Sequence, residues 1–256
     1  MYTNQRLPST QFVIQRYLEL LRVLVERNLS ARYRGSMLGI LWSLLNPMAT
    51  TAVYTMIFGA AFKDYYGSIL NYILAVFTGL VLIQFFTIST TQAMGSIVGN
   101  GGLFNKVKLP MSIFPISVVA ANAFQFFVAV FPILAVITLV TSKSLIHVLM
   151  LFIPIISLIL ISIGGSFLVS TLYVFFRDLP YFYEVFCFLI FLCTPIFYPA
   201  QIVAGRVSFF LDLNPFVPII EAVRQIALSQ TLPNIEDMLI PMLTGLFFLA
   251  LGWLWF

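Results

Sequence analysis

The side chains able to do chemistry in this 256-residue chain are few, and most stand in three short clusters. The first is Arg32-Tyr33-Arg34-Gly35-Ser36-Met37-Leu38-Gly39, running on through Trp42 to Leu45-Asn46-Pro47. Two arginines so placed can hold an anionic headgroup or a pyrophosphate by charge-assisted hydrogen bonds. The same pair can equally anchor a membrane boundary. Gly35 and Gly39 suit close helix approach, and Pro47 is expected to kink the helix that contains it. The second cluster is Phe175-Phe176-Arg177-Asp178-Leu179-Pro180, and the third is Leu213-Asn214-Pro215-Phe216 with Ile219, Glu221, Ala222 and Arg224 following.

Catalytic constellations are missing. His147 is the single histidine, so histidine-based metal sites and Ser-His-Asp triads have almost nothing to build on. No G-x-x-x-x-G-K-[ST] phosphate loop occurs, and Gly99-Asn100-Gly101-Gly102 lacks the lysine and reads as a turn. Cys187 and Cys193, six residues apart in one apolar run, fall on different faces of one helix and do not pair. Glu184 is the one acid expected inside a span, a single turn from its start, where it can snorkel. So little buried charge argues against ion coupling. The chain reads as a route across a membrane whose energy comes from a partner: no enzyme, no metal, no cofactor of its own.

The elements that must position these clusters follow from composition. Apolar residues make up 61% of the chain, aromatic residues 16% and charged residues 9%, against about 25% charged in an ordinary soluble domain. Uncharged runs such as Ser68 to Asn105 and Ser144 to Phe176 exceed the roughly 20 residues that cross a bilayer. They are continuous rather than alternating, which favours helices over a barrel. The chain is therefore expected to be an all-α polytopic membrane protein. Its net charge of +4 reads as an orientation signal, not as affinity for nucleic acid.

Residues 10–30 form an amphipathic helix, with Phe12, Tyr17, Leu20, Leu21, Leu24 and Val25 on one face and Gln15, Glu19, Arg22 and Glu26 on another. It is too charged to span and is expected to lie in the interface plane. Six spans follow, at about 38–62, 70–96, 112–140, 146–175, 181–199 and 236–256, assigned by hydropathic runs. Residues 200–235 are too charged to cross yet strongly apolar in two pieces, Val207 to Leu213 and Phe216 to Leu228, broken by Asn214-Pro215 and Pro218. A pair of short helices dipping into the outer leaflet satisfies both facts. Nine of the 13 lysines and arginines fall on the side of the termini and four on the other, which places both termini in the cytoplasm.

The order of interfacial helix, R-Y-R-G-S-x-L-G-x-L-W-x-x-L-x-P, F-R-D and L-N-P-x-x-x-x-x-E-x-x-R resembles the membrane subunit of ABC-2 type exporters. Within these it is most similar to the polysaccharide branch that exports O-antigen, capsule or teichoic acid. The resemblance covers nearly the whole chain. It implies the ABC-2 permease fold in a bacterial inner membrane, as a homodimer with two cytoplasmic ATPase subunits that bind ATP and Mg. The cargo it implies is a glycan linked to polyprenyl pyrophosphate, with Arg32 and Arg34 at the entrance. The ATPase contacts it implies are the interfacial helix, the loop Gly99 to Pro110 with Phe104, Lys106 and Lys108, and the Arg177-Asp178 turn. The outer hairpin, with Asn214, Pro215, Glu221 and Arg224, becomes a gate. Sugars stack their C–H faces on aromatic rings, so Tyr54, Tyr173 and Tyr198 are candidates for the translocation path, Tyr54 and Tyr173 being the deeper. Alternatives are export of a drug or small lipid by the same fold, and a channel or secondary transporter without an ATPase.

Overall fold

The structure, a computed structural model, describes residues 10–104, 110–202, 209, 211, 213–228 and 234–256. Every regular element among them is helical. Helix α1 (Thr10–Tyr33) ends about one turn beyond the expected boundary. Its Leu24 is buried against Ile113 and Phe114 with Tyr17, Leu20 and Leu21 around it, which is the apolar face read from the periodicity. Arg27 donates to Asn100 at 2.9 Å and Asn28 to Ser117 at 3.2 Å, so α1 is fastened along its length. Arg22 and Glu26 pair at 2.9 Å on the exposed side.

A 3₁₀ turn (Gly39–Leu41) leads into α2 (Trp42–Phe62), which runs through Pro47 as one helix. Ser68 caps α3 (Ile69–Met94) by accepting from the Asn71 N–H at 3.1 Å. The Gly99-Asn100-Gly101-Gly102 stretch is more regular than a turn: Asn100 separates two four-residue helices, α4 (Ser96–Gly99) and α5 (Gly101–Phe104).

The span expected at 112–140 is broken. It forms α6 (Ile113–Ala129) and α7 (Phe131–Ser142), bent by 43° at Val130. Pro132, in the first turn of α7, has no N–H for the helix ladder, and its ring crowds the carbonyl four residues back. Helices α8 (Leu145–Met150) and α9 (Phe152–Phe175) together make one apolar run of 31 residues. The span expected at 181–199 is shorter: α10 (Leu179–Cys193) stops because Thr194 precedes Pro195 and is driven extended, at φ −98° and ψ 129°. Of the hairpin expected at 200–235, one member is described, α11 (Phe216–Leu228); most of the piece 207–213 lies outside the described residues. Helix α12 (Ile235–Trp255) closes the fold.

Among the described residues, four segments are long and apolar enough to cross a membrane, and the bent pair α6–α7, taken as one span, makes a fifth. Helix α10 has 15 residues, about 22 Å, against a hydrocarbon core of about 30 Å. Helix α3 is the hub, buried through most of its length, whereas α2 and α10 expose long apolar faces. Met94 packs with Tyr173 and Leu179, and Phe167 with Trp253 and Phe256. The ends of α3, α9 and α12 therefore gather at the end of the bundle that carries α1, and α11 lies at the opposite end. Helices α9 and α12 run parallel at backbone contact. A Cβ on Gly164 would collide with the Phe248 carbonyl, one on Gly252 with the Gly164 backbone, and one on Gly245 with the Ser157 backbone at 2.9 Å.

Candidate functional site

The turn between α1 and α2 owes its shape to two glycines in the left-handed region, Gly35 at φ +81° and Gly39 at φ +48°. A Cβ on either would meet nothing within 4 Å. Their role is conformational, because L side chains avoid positive φ; it is not the close helix approach their spacing suggested. The Ser36 N–H donates to the Tyr33 carbonyl and the Gly39 N–H to Ser36 Oγ, both at 3.0 Å.

This turn aims Arg32 into the bundle. Its Nη1 donates to Asn122 Oδ1 at 2.7 Å and to Gln125 Oε1 at 2.6 Å, and its Nη2 donates to Gln92 Oε1. Asn122 Nδ2 donates to the same Gln92 oxygen at 3.1 Å. Asn122 and Gln125 are buried. Four side chains from α1, α3 and α6 thus form one polar knot, in which carboxamide oxygens solvate the guanidinium and no described carboxylate neutralises it. Beside the knot opens a cavity of about 360 Å³, walled by Tyr33, Trp42, Ser43 and Asn46 on one side and by Gln84, Phe85, Gln92 and Phe126 on the other. The Tyr33 hydroxyl is buried without a hydrogen-bond partner among the described residues. Arg34 is exposed, outside the cavity wall. The two arginines offered together by the motif are therefore separated, one spent on amides and one open.

The three tyrosines do not share a surface. Tyr54 stacks on Phe197 with centroids 4.9 Å apart and planes 5° apart, and on Phe58 at 6.1 Å. Tyr198 meets Phe197 edge-on at 5.3 Å and donates its hydroxyl to the Leu192 carbonyl at 3.1 Å. These two belong to one aromatic cluster toward the α11 end, which Tyr72 joins by donating to the Phe197 carbonyl at 2.9 Å. Tyr173 lies in the last turn of α9, at the opposite end, under the Arg177 guanidinium at 5.4 Å from its ring centre.

Arg177 and Asp178 are exposed in the tight turn from α9 to α10, where the Leu179 N–H donates to the Phe176 carbonyl at 3.3 Å. Phe175, Phe176, Tyr181 and Phe182 are exposed around them. Asp178 occupies the N-cap position of α10 without a side-chain capping bond. Lys106, Lys108 and the side chain of Phe104 lie outside the described residues.

At the other end the L-N-P motif is a fastening. Asn214 is buried; its Oδ1 accepts from the Phe216 N–H at 3.0 Å and so caps α11, with Pro215 between them. Its Nδ2 donates to the Cys193 carbonyl at 3.3 Å and to Thr194 Oγ1 at 2.9 Å, where α10 runs out. Arg224 completes the joint. Nε and Nη2 donate to the Ala75 carbonyl at 3.1 and 2.9 Å, Nη1 to the Pro195 carbonyl at 2.8 Å, and Nη2 to the Ile196 carbonyl at 2.8 Å. Helix termini leave carbonyls unpaired, and in a membrane these must be met from within the protein. Glu221, three residues before Arg224, is exposed.

The sequence reading missed Gln84, Gln92, Asn122 and Gln125, and Gly79, whose missing side chain leaves room for Arg224. The signal was present. Gln84, Ile88 and Gln92 are four apart on one stripe of α3, and Asn122 and Gln125 are three apart on α6.

The ABC-2 type transporter family matches residues 19–228. An O-antigen export system permease protein RfbA from Klebsiella pneumoniae is 31% identical over 236 residues, which is 91% of this chain and 89% of that one. A protein of the same description from Myxococcus xanthus is 29% identical over 229 residues, 88% of this chain and 86% of its own. With its apolar crossing helices and a match over most of its length, the chain belongs to the ABC-2 type transporter family of membrane proteins.

Proposed function

We propose that this chain is the permease subunit of an ATP-driven exporter that moves a polyprenyl-pyrophosphate-linked, O-antigen-like polysaccharide from the cytoplasm across the inner membrane. The observation that carries the reading is the 31% identity, over nine-tenths of the chain, to permeases described as exporting O-antigen. Helix α10 with the bent, non-helical residues to 199 completes six spans, and α11 is the re-entrant gate helix in the outer leaflet. The excess of cations at the α1 end makes that end cytoplasmic. Two copies pair through apolar faces such as Val53, Met56 and Ile57 of α2 and Val185, Phe186 and Leu189 of α10, all exposed in the single chain. The ATPase subunits, which carry ATP and Mg, dock on α1, on the segment from Gly99 to Pro110, and on the Arg177-Asp178 turn. Arg34, exposed outside the wall of the cavity that Arg32 organises, meets the anionic linkage first.

The test is a mild-detergent pull-down of the tagged chain from its native membranes, with an ATPase assay, beside a deletion scored for surface polysaccharide. A stoichiometric nucleotide-binding subunit and loss of surface glycan are expected. An ATPase with unchanged glycan would move the reading to a drug or lipid cargo. A chain recovered alone, without nucleotide hydrolysis, would move it to a channel or secondary transporter.

A further inference from the structure

We propose that the amide-lined cavity between α1, α2, α3 and α6 is a binding site for a neutral sugar ring, the one adjoining the anionic linkage of the cargo. In naming the cargo, this rests on the polysaccharide reading above. A carboxamide carries an acceptor at one end and two donors at the other. Arg32 takes the oxygens of Gln92, Asn122 and Gln125. The amide nitrogens of Gln92 and Gln125, the whole Gln84 amide and the Tyr33 hydroxyl are left without a partner among the described residues. Arg32 is thus a positioning residue: it holds the Gln92 and Gln125 amides by their oxygens and leaves their neutral donors to the cavity instead of offering its own charge there.

That set fits hydroxyl and ring oxygens. The wall between the amides is aromatic, with Trp42 at the mouth and Phe85 and Phe126 within, and rings of this kind take the C–H face of a sugar. The volume of about 360 Å³ falls within the range of small-molecule sites, roughly 300–1,000 Å³. From Gln84 to Gln92 is about 12 Å along α3, long enough for a ring set lengthwise. A lipid chain is the wrong occupant, because it would leave every one of these polar groups unpaired. A phosphate is better served outside the cavity, at the open guanidinium of Arg34.

The test uses the full chain in lipid nanodiscs with Trp253→Phe and Trp255→Phe, so that Trp42 alone reports, and two probes, decyl glucoside and decyl phosphate. Decyl glucoside is expected to change Trp42 emission saturably. Its apparent affinity should fall at least tenfold in Gln84→Leu and Gln92→Leu and stay unchanged in Arg34→Gln. Decyl phosphate should show the reverse dependence. Arg32→Lys, which keeps the charge but cannot hold three amides, should weaken the glucoside response and spare the phosphate one. Gln84 makes no hydrogen bond to another described residue, so Gln84→Leu stays informative if Gln92→Leu does not fold. A glucoside response that never saturates, or that ignores both glutamine variants, overturns the proposal, as does a phosphate response that depends on Gln84. Binding is read on the isolated permease, so a failure here is separable from an unchanged surface glycan in the deletion strain.

Discussion

Replacing Arg224 by lysine should loosen α11 from the bundle while leaving the rest of the chain folded. The magnitude can be worked from the acceptors. The Ala75 carbonyl belongs to α3 and also accepts from the Thr78 hydroxyl at 3.0 Å, so it is not orphaned when the guanidinium goes. The Pro195 and Ile196 carbonyls lie outside any helix and take 2.8 Å bonds from Arg224. Orphaning a buried carbonyl costs about 1–3 kcal/mol, so Arg224→Met should cost roughly 2–6 kcal/mol at this joint. Some of that returns because no cation remains to be buried. Lysine donates from a single atom and cannot span both strands of acceptors; it should lose about half, near 2 kcal/mol. At about 1.4 kcal/mol per tenfold, amide exchange in Ile219 to Ile226 should speed up about thirtyfold, with α9 unchanged. Hydrogen–deuterium exchange in nanodiscs reads this directly.

Gly79 supplies the control. A Cβ there would lie 3.1 Å from Ile196 Cγ2 and 3.2 Å from Arg224 Nη2, so Gly79→Ala should displace the same fork from the opposite side. Two changes that break one joint do not add. Exchange in α11 that is unaffected by Arg224→Lys and Arg224→Met alike would refute the reasoning. Fully additive effects of Gly79→Ala and Arg224→Lys would refute the shared joint.

Three further outcomes are expected. Gly164→Ala or Gly252→Ala should lower the thermal midpoint in detergent, costing about 1–3 kcal/mol, because each Cβ meets backbone that cannot swing aside. Asn214→Ser should keep an N-cap oxygen for Phe216 but lose the donors to Cys193 and Thr194, whereas Asn214→Ala loses both. Exchange in the first turn of α11 should rise from wild type to serine to alanine, the cap itself being worth about 1 kcal/mol. Arg177→Ala with Asp178→Ala should abolish surface polysaccharide while membrane insertion, read by protease protection, stays normal; export at the normal rate would remove the turn from the coupling path.

How much of this was legible in one dimension depends on the physics each feature uses. Burial of continuous apolar runs is a one-dimensional property, so α3, the α8–α9 run and α12 stood within a residue or two of their hydropathic limits. Their ends were less so. Thr194-Pro195 and Pro132 carry backbone rules that act locally, yet an apolar run passes straight through both, and hydropathy hid the break in each. Arg32 and Arg34 show the opposite case. Arg32 stands in the last turn of α1 and Arg34 in the turn beyond it, so a motif that reads as a pair of arginines splits where the helix ends at Tyr33. Which of the two turns inward was not in the sequence, because the answer lies on α3 and α6, 60 to 93 residues away. The same distance concealed the amide knot. A glutamine in an apolar span is only a small dent in a hydropathy profile, and nothing local distinguishes one that faces lipid from one that faces a guanidinium. Helical spacing marks Gln84 and Gln92 as sharing a stripe, and a membrane gives a polar stripe few tolerable neighbours. Polar stripes inside spans should therefore be matched to one another before any aromatic residue is assigned to a path: an aromatic side chain packs against almost anything, while an amide in hydrocarbon must find a partner or a ligand.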